Sequence, residues 1–565
     1  MKSVVRILVL LIIPTLIAGG EEAMTTPQVS YSTYFGGSDR DNITGCALSP
    51  DAEWLFVGRT ASTNFPTEEP FIGKYQGGSW DGFLSWLDPK GEQIRYSSYL
   101  GGSGSDYPQA VFVTDDLNIY VAGSTYSSNF PMGPQGYATN YIGGEDVFVI
   151  KFGKDAKTVL AATYFGGTGN DSLYGATMDR HSNLYLVGKT TSTNLPVHNA
   201  LQTNYGTHTD GFFLKLDSEL TNLCFASYFG GDDFDWFYDV AVDEISRDIW
   251  LVGSTDSTNF PLTNNFLDIT LEKRMGFVSQ VASNGTELLF STYLGGSSGS
   301  YAYAVAVNTG HCGIVGGYTS SPDFPVTNAV QSQYCPVDTN VGARGDYNAF
   351  LTMFTAQPTS LVFSTYLGGS SYDAGKAVDC DEQGRIYLYG YTASSNFPTT
   401  GNAYQPLHSQ DVSYYFDFFV SVFTPDGTGL LYSTYYGDDG DEYQSCMARD
   451  GYGAVYLAGY NDSGDGWPVT NALYPARPGD EDGAIVKFVE PYMDFSGLDF
   501  SVGSAACTWF TDSRNSVRLE YADDPCGAWA QLGSYSNIPS TGGSVTITDN
   551  TGAASIRLYR LRPSE

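Results

Sequence analysis

Apolar and polar residues alternate along this chain in short runs, and the runs return at a fixed interval. Tyr31-Ser-Thr-Tyr-Phe-Gly-Gly37 reappears as Tyr96-Ser-Ser-Tyr-Leu-Gly-Gly102, Ala161-Ala-Thr-Tyr-Phe-Gly-Gly167 and Phe225-Ala-Ser-Tyr-Phe-Gly-Gly231. It returns again as Phe290-Ser-Thr-Tyr-Leu-Gly-Gly296, Phe363-Ser-Thr-Tyr-Leu-Gly-Gly369 and Tyr432-Ser-Thr-Tyr-Tyr-Gly-Asp438. The central tyrosines, at 34, 99, 164, 228, 293, 366 and 435, stand 64 to 73 residues apart. Two other phrases keep step with them. A hairpin such as Ile119-Tyr-Val-Ala-Gly-Ser-Thr125 follows each Gly-Gly and ends in a Thr-Asn-Phe-Pro turn, as at Thr63 to Pro66 and Thr258 to Pro261. Next comes a strand such as Asp146-Val-Phe-Val-Ile-Lys-Phe152 or Asp210-Gly-Phe-Phe-Leu-Lys-Leu216. Period-two alternation over segments this short marks strands packed between layers.

Each unit therefore predicts four strands, and four-stranded units repeated around an axis make a β-propeller. The ends of the repeat add a second expectation. It opens on an isolated strand at Tyr31 and closes on the strand Asp482 to Phe488, whose outer partner is missing. Pairing of these two strands would complete the seventh blade and cover an edge otherwise free to recruit other chains. From about Pro491 the period stops. Alternation at 516–521, 528–532, 544–548 and 555–561 predicts a small β-sandwich-like domain. The expected fold class is all-β, with a seven-bladed β-propeller over 29–490, a linker over 21–28 and a C-terminal β-domain over 491–565.

The first twenty residues carry Lys2 and Arg6, an apolar run from Ile7 to Ile17, then Ala18, Gly19 and Gly20. This order is that of a cleaved secretory signal peptide, and the run is short of the roughly 20 residues that span a bilayer. No later segment is apolar enough to cross a membrane. The expected product is a secreted or cell-surface protein, soluble and monomeric.

The repeated phrases resemble the SBBP, or seven-bladed β-propeller repeat, family of exported bacterial proteins. The family pattern runs Tyr-Ser-Thr-Tyr-Leu-Gly-Gly, an Asp-x-x-Gly-x-x-Tyr hairpin, Ser-x-Asn-Phe-Pro and Asp-Ala-Phe-Val-x-Lys-Leu, and this chain follows it over residues 29–490. The resemblance implies a fold and an exported location, and no common reaction or ligand. The chain departs from the pattern in its fifth unit, at Asn308 to Cys312 and in an insertion through Cys335 to Gly345. It departs again in the last, where Asp465-Gly-Trp-Pro468 replaces Asn-Phe-Pro. The ending Tyr559-Arg-Leu-Arg562 is similar to that of small C-terminal β-domains on exported bacterial proteins. Those serve as a cap or adhesion module, or alternatively as a sorting signal.

Composition narrows the partners. Of 565 residues only 16% are charged, with 62 acidic against 27 basic and a net charge of −35. Nucleic acid and anionic lipid are excluded as electrostatic partners, because binding them requires Lys and Arg facing phosphates. An acid recurs seven residues after the central tyrosine, as Asp41, Asp106, Asp171, Asp235, Asp373 and Glu442, with Ser300 the exception. Carboxylates there would ring one face. They either cap their own turns or supply oxygens to Ca²⁺, which takes 6–8 of them. Turn capping accounts better for a residue present in nearly every unit. The richer clusters Asp232, Asp233, Asp235 and Asp438, Asp439, Asp441, Glu442 are the candidate ion ligands.

Eight cysteines are too sparse for a disulfide-built scaffold. Cys507 with Cys526 and Cys312 with Cys335 are candidate pairs. Cys46 and Cys446 occupy matching places in the first and last repeats and would be neighbours in a closed ring. The alternative for Cys46, Cys224, Cys380 and Cys446 is that of small buried hydrophobes. Gly295-Gly-Ser-Ser-Gly299 fits G-x-S-x-G, but it lies in a turn common to all units with no helix after it, so it is no nucleophile elbow. Trp80, Trp236 and Trp467 are candidates for stacking on sugar rings, or else fill gaps between blades. The function expected is an exported, non-enzymatic binding or scaffold protein that presents loops of one propeller face to an extracellular protein or polysaccharide. The alternative is a polysaccharide hydrolase or lyase in the central funnel. Non-repeated acidic, His or Arg residues converging on one end of the axis would point to the enzyme.

Overall fold

The computed structural model describes residues 27–489, apart from 264–266, 268–273, 337–346, 410–414, 439, 451–452 and 463–465, and six strands beyond residue 494. The segment read above as a signal peptide lies outside the described residues, as does most of the fifth-unit insertion. Between residues 28 and 489 the chain forms seven four-stranded antiparallel sheets. Each blade runs inner, second, third and outer strand in chain order. The first blade is Asp41–Leu48, Trp54–Thr60, Asp81–Leu87 and Ile94–Leu100. In the seventh, Glu442–Arg449, Val455–Asn461 and Asp482–Val489 are joined by Gln28–Phe35 as the outer strand. The ring is thus closed by its own N-terminus, as the phase of the repeat predicts.

The closing strand is held by packing as well as by its ladder. Tyr31, Tyr34 and Phe35 are buried, and the Phe35 ring meets Phe56 edge-on at 4.8 Å and Phe65 at 5.6 Å. Trp467, which replaces the phenylalanine of the turn motif, donates its indole N–H to Ser32 Oγ at 2.7 Å. The inner strands of the first and seventh blades lie against each other, and Cys46 and Cys446 touch across that seam. Burial and this contact push the Cys446 thiol well up.

Within a blade the central tyrosine ties the outer strand to the turn that precedes the third strand. Tyr99, Tyr228, Tyr366 and Tyr435 each donate to the carbonyl of Ser62, Ser192, Ser321 or Ser394 at 2.7 Å. They accept the N–H of Phe65, Leu195, Phe324 or Phe397 in return. A buried phenol needs both a donor and an acceptor, and the Ser-x-Asn-Phe-Pro turn supplies them.

Cys312 and Cys335 are not bridged, which corrects one candidate pairing. Cys312 precedes the second strand of the fifth blade, Gly313–Thr319, while Cys335 bonds Asn348 beside its far end. Seven residues at about 3.4 Å each separate them, far beyond the roughly 7 Å a disulfide tolerates. Beyond residue 494, Phe495–Ser501, Ser504–Trp509 and Gly543–Thr548 form one antiparallel sheet. Ala530–Gln531, Val517–Ala522 and Leu558–Pro563 form another. The first two of these six strands are not predicted by the alternation. Of the pair Cys507 and Cys526, the second residue and the side chain of the first lie outside the described residues.

Removal of residues 29–37 strips Tyr31, Tyr34 and Phe35 from the seam, at about 1.5–3 kcal/mol for each buried side chain. The expected loss of more than about 5 kcal/mol should lower the melting temperature far more than deleting residues 337–345 of the insertion. Equal melting curves for the two deletions would refute closure by the N-terminal strand.

Candidate functional site

The recurrent acids turn out to be joints of the scaffold. Each stands first on an inner strand, is buried, and binds the turn that brings the chain in from the preceding blade. Asp41 Oδ2 accepts the Gly37 N–H at 2.6 Å and the Ser62 hydroxyl at 2.8 Å. Asp171 does the same with Gly167 at 2.7 Å and Ser192 at 2.8 Å, and Asp235 with Gly231 and Ser257. The Asn of each turn motif completes the brace: Asn64, Asn129, Asn194 and Asn396 accept the N–H that follows the Gly-Gly at 2.8–2.9 Å. Turn capping therefore accounts for the ring of acids.

A second buried acid opens most third strands: Asp81, Asp146, Asp210, Asp417 and Asp482. The two acids of neighbouring blades flank the first glycine of the Gly-Gly pair. A side chain on Gly36 would collide with Asp482 Oδ1 and stand 2.7 Å from Asp41 Oδ2. Asp81, Asp146, Asp210 and Asp482 each keep one buried oxygen without a partner. Burial pushes Asp81, Asp210 and Asp482 up to about 7, and the neighbouring carboxylate adds to the rise. Burial likewise brings Asp41, Asp106 and Asp235 to about 6 against their hydrogen bonds. One proton on each third-strand acid would give its orphan oxygen a donor's role.

Of the clusters proposed for Ca²⁺, the first is dispersed, and in the second Asp438 and Glu442 meet each other and share the Asn461 amide. Asp235 faces its own turn, while Asp233 accepts the Phe234 N–H at 3.0 Å and Asp232 stands exposed. Asp438 accepts the Gly440 N–H at 2.8 Å, Asp441 the Phe416 N–H at 3.0 Å, and Glu442 the Asn461 amide at 2.7 Å. Asp439 lies outside the described residues. Among the described residues no three His, Cys, Asp or Glu side chains are placed to share a metal ion.

The residues that do gather are ones the repeat leaves free. Every inner strand carries a β-bulge at its fourth residue, where the register to the second strand slips. A bulge leaves its extra residue outside the ladder and re-aims the side chain. The seven bulge residues are Thr44, Gln109, Tyr174, Tyr238, Tyr303, Lys376 and Ser445. The residue before each bulge pairs with the glycine of the Gly-x-Thr phrase, Gly-x-Asn in the seventh blade, and on Gly188, for example, a Cβ would collide with the carbonyl of Ser172. In four consecutive blades the bulge side chains touch in series. The Tyr174 and Tyr238 rings are 5.9 Å apart, Tyr238 stacks on Tyr303 at 4.4 Å, and the Lys376 ammonium lies 3.3 Å from the Tyr303 ring centre.

Neighbouring variable positions extend this row into a closed girdle. Tyr303 passes to Tyr318, Tyr372, Tyr391, Tyr443 and Tyr460 at ring separations of 5.1–6.0 Å. Arg59 then bridges to Trp80 and Tyr107, and Tyr107 to Tyr126. Tyr126 donates to Glu145 at 3.2 Å, Glu145 lies beside Lys189, and Lys189 sits 5.4 Å from the Tyr174 ring. Many of these side chains, which come from the inner and second strands and from the turns beside them, are only partly buried.

Two of the three candidate tryptophans belong here. Trp80 lies between the guanidinium groups of Arg40 and Arg59, each 4.7 Å from its ring. Trp236 lies between Lys189 at 4.9 Å and Arg274 at 4.6 Å. Trp467 is removed from the set, since it is 2% exposed and seals the seam. The girdle also holds Asp239, beside the bulge of the fourth blade. Its carboxylate oxygens accept the N–H of Val240 at 2.8 Å and Val305 at 2.9 Å, and burial brings it to about 7. Burial alone lowers Lys376 to about 7. Of the girdle only Trp80 and Trp236 are legible from residue type. The signal for the rest was the one position, three residues after the recurrent acid, that refuses to repeat.

A family model described as SBBP, β-propeller repeat, matches residues 95–131 and 362–398. Each match runs from an outer strand through the inner and second strands of the next blade to the Asn-Phe-Pro turn, so the family repeat straddles two blades. The chain carries SBBP repeats and folds as a seven-bladed propeller. No curated protein matches it. Among solved structures it is similar to a protein of unknown function from Dyadobacter fermentans, at 10% identity and TM-score 0.39, over 82% of this chain and 99% of that one. It is also similar to Raptor from Chaetomium thermophilum, at 6% identity and TM-score 0.41, over 82% of this chain and 29% of that one. A third is a gluconolactonase from Xanthomonas campestris, at 11% identity and TM-score 0.28, over 66% and 90%. Among the described residues no helix is long and apolar enough to cross a membrane.

The raised carboxyls fix the sign of the pH dependence. The folded ring favours their protonated forms, so their contribution to stability is full below about pH 4 and is lost as pH rises towards 7. The melting temperature should fall across that window and level off above it. Asp81→Asn copies the fifth blade, where Asn348 donates to Gly369 O at 3.0 Å beside Asp373. It should raise the melting temperature by about 2–4 °C more at pH 8 than at pH 5. An equal shift at both pH values would show that Asp81 is ionised throughout.

Proposed function

We propose that this is an exported, non-enzymatic binding protein that takes polysaccharide on the face of the propeller carrying the Gly-Gly turns. The observation that carries this reading is the closed girdle of non-repeated aromatic and charged side chains on a repeated scaffold. Tyrosine and tryptophan combine a flat apolar face with a polar edge, which suits a sugar ring with its C–H face and peripheral hydroxyls. Tyr174, Tyr238 and Tyr303 present such rings on three successive blades, a span that suits a chain of sugars rather than one.

A polysaccharide hydrolase or lyase at the same place is the second reading. It is favoured by Asp239 and Lys376, two non-repeated groups that burial brings to about 7. Glycoside hydrolysis by the usual route needs two carboxyl groups facing one bond. Asp239 already spends both oxygens on backbone amides, so binding is the stronger reading.

A glycan array read in parallel with a depolymerisation assay separates the two. Binding without chain cleavage is expected, and Trp236→Ala should weaken it about tenfold, or roughly 1.4 kcal/mol, with an unchanged melting temperature. Release of shortened products would establish the enzyme instead. No glycan bound would refute the polysaccharide reading.

A further inference from the structure

We infer that the saccharide held in this girdle is anionic and that Lys376 is the residue that reads its charge. This rests on the polysaccharide-binding reading above and adds the chemical class of the sugar. Lys376 is the bulge residue of the inner strand Asp373–Cys380, between Gly375 and Ala377. The other six blades place Thr, Gln, Tyr or Ser there, so Lys376 is the one of the seven bulge residues that can carry positive charge. It rests 3.3 Å from the Tyr303 ring centre and 5.8 Å from that of Tyr391. Among the described residues it has no carboxylate or hydrogen-bond acceptor.

The other girdle cations are compensated. Arg274 binds Asp256, with Nε 3.1 Å from both carboxylate oxygens. Lys189 is balanced by Glu145, and Arg59 donates to Asn42 at 3.1 Å, which in turn bonds Glu481. A half-buried charge without a carboxylate partner is costly to desolvate, and a π face offsets only part of that cost. In a chain with 62 acidic residues a carboxylate partner would be easy to supply. Its absence here leaves the counter-charge to the ligand.

The size of the surroundings argues for an acidic sugar rather than an inorganic anion. The ammonium ends a row of three tyrosine rings, far more surface than a phosphate or sulfate ion covers. The excess negative charge of the whole protein repels an anion only at long range. At physiological ionic strength that field decays over about 8 Å, so contact decides selectivity. Added salt should then speed association, the reverse of ordinary polyanion capture by a basic protein.

The test is a panel of acidic oligosaccharides, one series uronate and one sulfated, each paired with its carboxyl-reduced or desulfated twin and titrated against the full chain. At least one acidic member should bind tenfold or more tightly than its neutral twin, and the two series show which anion is read. Lys376→Met should bring the acidic sugar down to the affinity of its twin and leave the twin unaffected, while Lys376→Arg should retain the preference. Melting curves confirm that both variants fold. Neutral twins bound as well as acidic members would overturn the inference and leave polysaccharide binding standing. Persistence of the preference in Lys376→Met would also overturn it. Binding of no sugar in either form would overturn both.

Discussion

The ring depends on a buried carboxyl at the head of six of its seven inner strands. It gathers a glycine N–H from the incoming turn and a serine hydroxyl from the turn before the third strand, so three segments from two blades meet on one side chain. A backbone bond reinforces the same joint, as where Asp171 donates its N–H to Glu145 O at 2.7 Å. Hydrogen bonds to a charged or partly charged acceptor are stronger than neutral ones, but the group must first be desolvated. The second acid, opposite the Gly-Gly, makes that cost a matter of two groups rather than one.

The exceptions show that the pair is the unit. Where Ser300 replaces the inner acid, Met275 replaces its partner, and the serine hydroxyl bonds only Thr319 at 2.8 Å. At the next seam Asn348 replaces the partner and the inner Asp373 stays. Both changes remove the repulsion between two carboxylates while keeping the volume filled. The seam tolerates loss of both acids or one amide for one acid, which is what electrostatics of a shared, buried proton would permit.

Much of this was legible in the sequence. The period, the four strands per unit, closure by the strand at Tyr31 and the contact of Cys46 with Cys446 all follow from phase, because each is set by local alternation and by the need to pair every edge. The structural role of the recurrent acids was also favoured there, since a turn needs the same residue in every copy. The girdle was not legible. The bulge position holds Thr44, Gln109, Tyr174, Tyr238, Tyr303, Lys376 and Ser445, no one residue type throughout, and only the bulge makes these positions equivalent and brings the side chains of four of them together. Trp467 misled for a related reason: a rare residue at a motif position reads as functional, whereas here it fills a phenylalanine's place and adds one hydrogen bond to the seam. The register slip that separates these cases is a property of the ladder, invisible to a pattern of apolar and polar letters.

The acid excess also changes meaning. A formal charge of −35 counts every carboxyl as ionised, yet Asp81, Asp210, Asp373 and Asp482 are held near 7 by burial inside the seams. Part of the apparent charge is therefore interior and partly protonated, and it projects little field outward. The girdle, by contrast, concentrates Arg40, Arg59, Lys189, Arg274 and Lys376 among aromatic faces. Cations placed there meet a ligand within contact distance, inside the range over which the surrounding solution screens the rest of the molecule. An overall acidic protein can thus carry a locally cationic, aromatic face, because the residues that make it acidic and those that make that face belong to different positions of the same repeat.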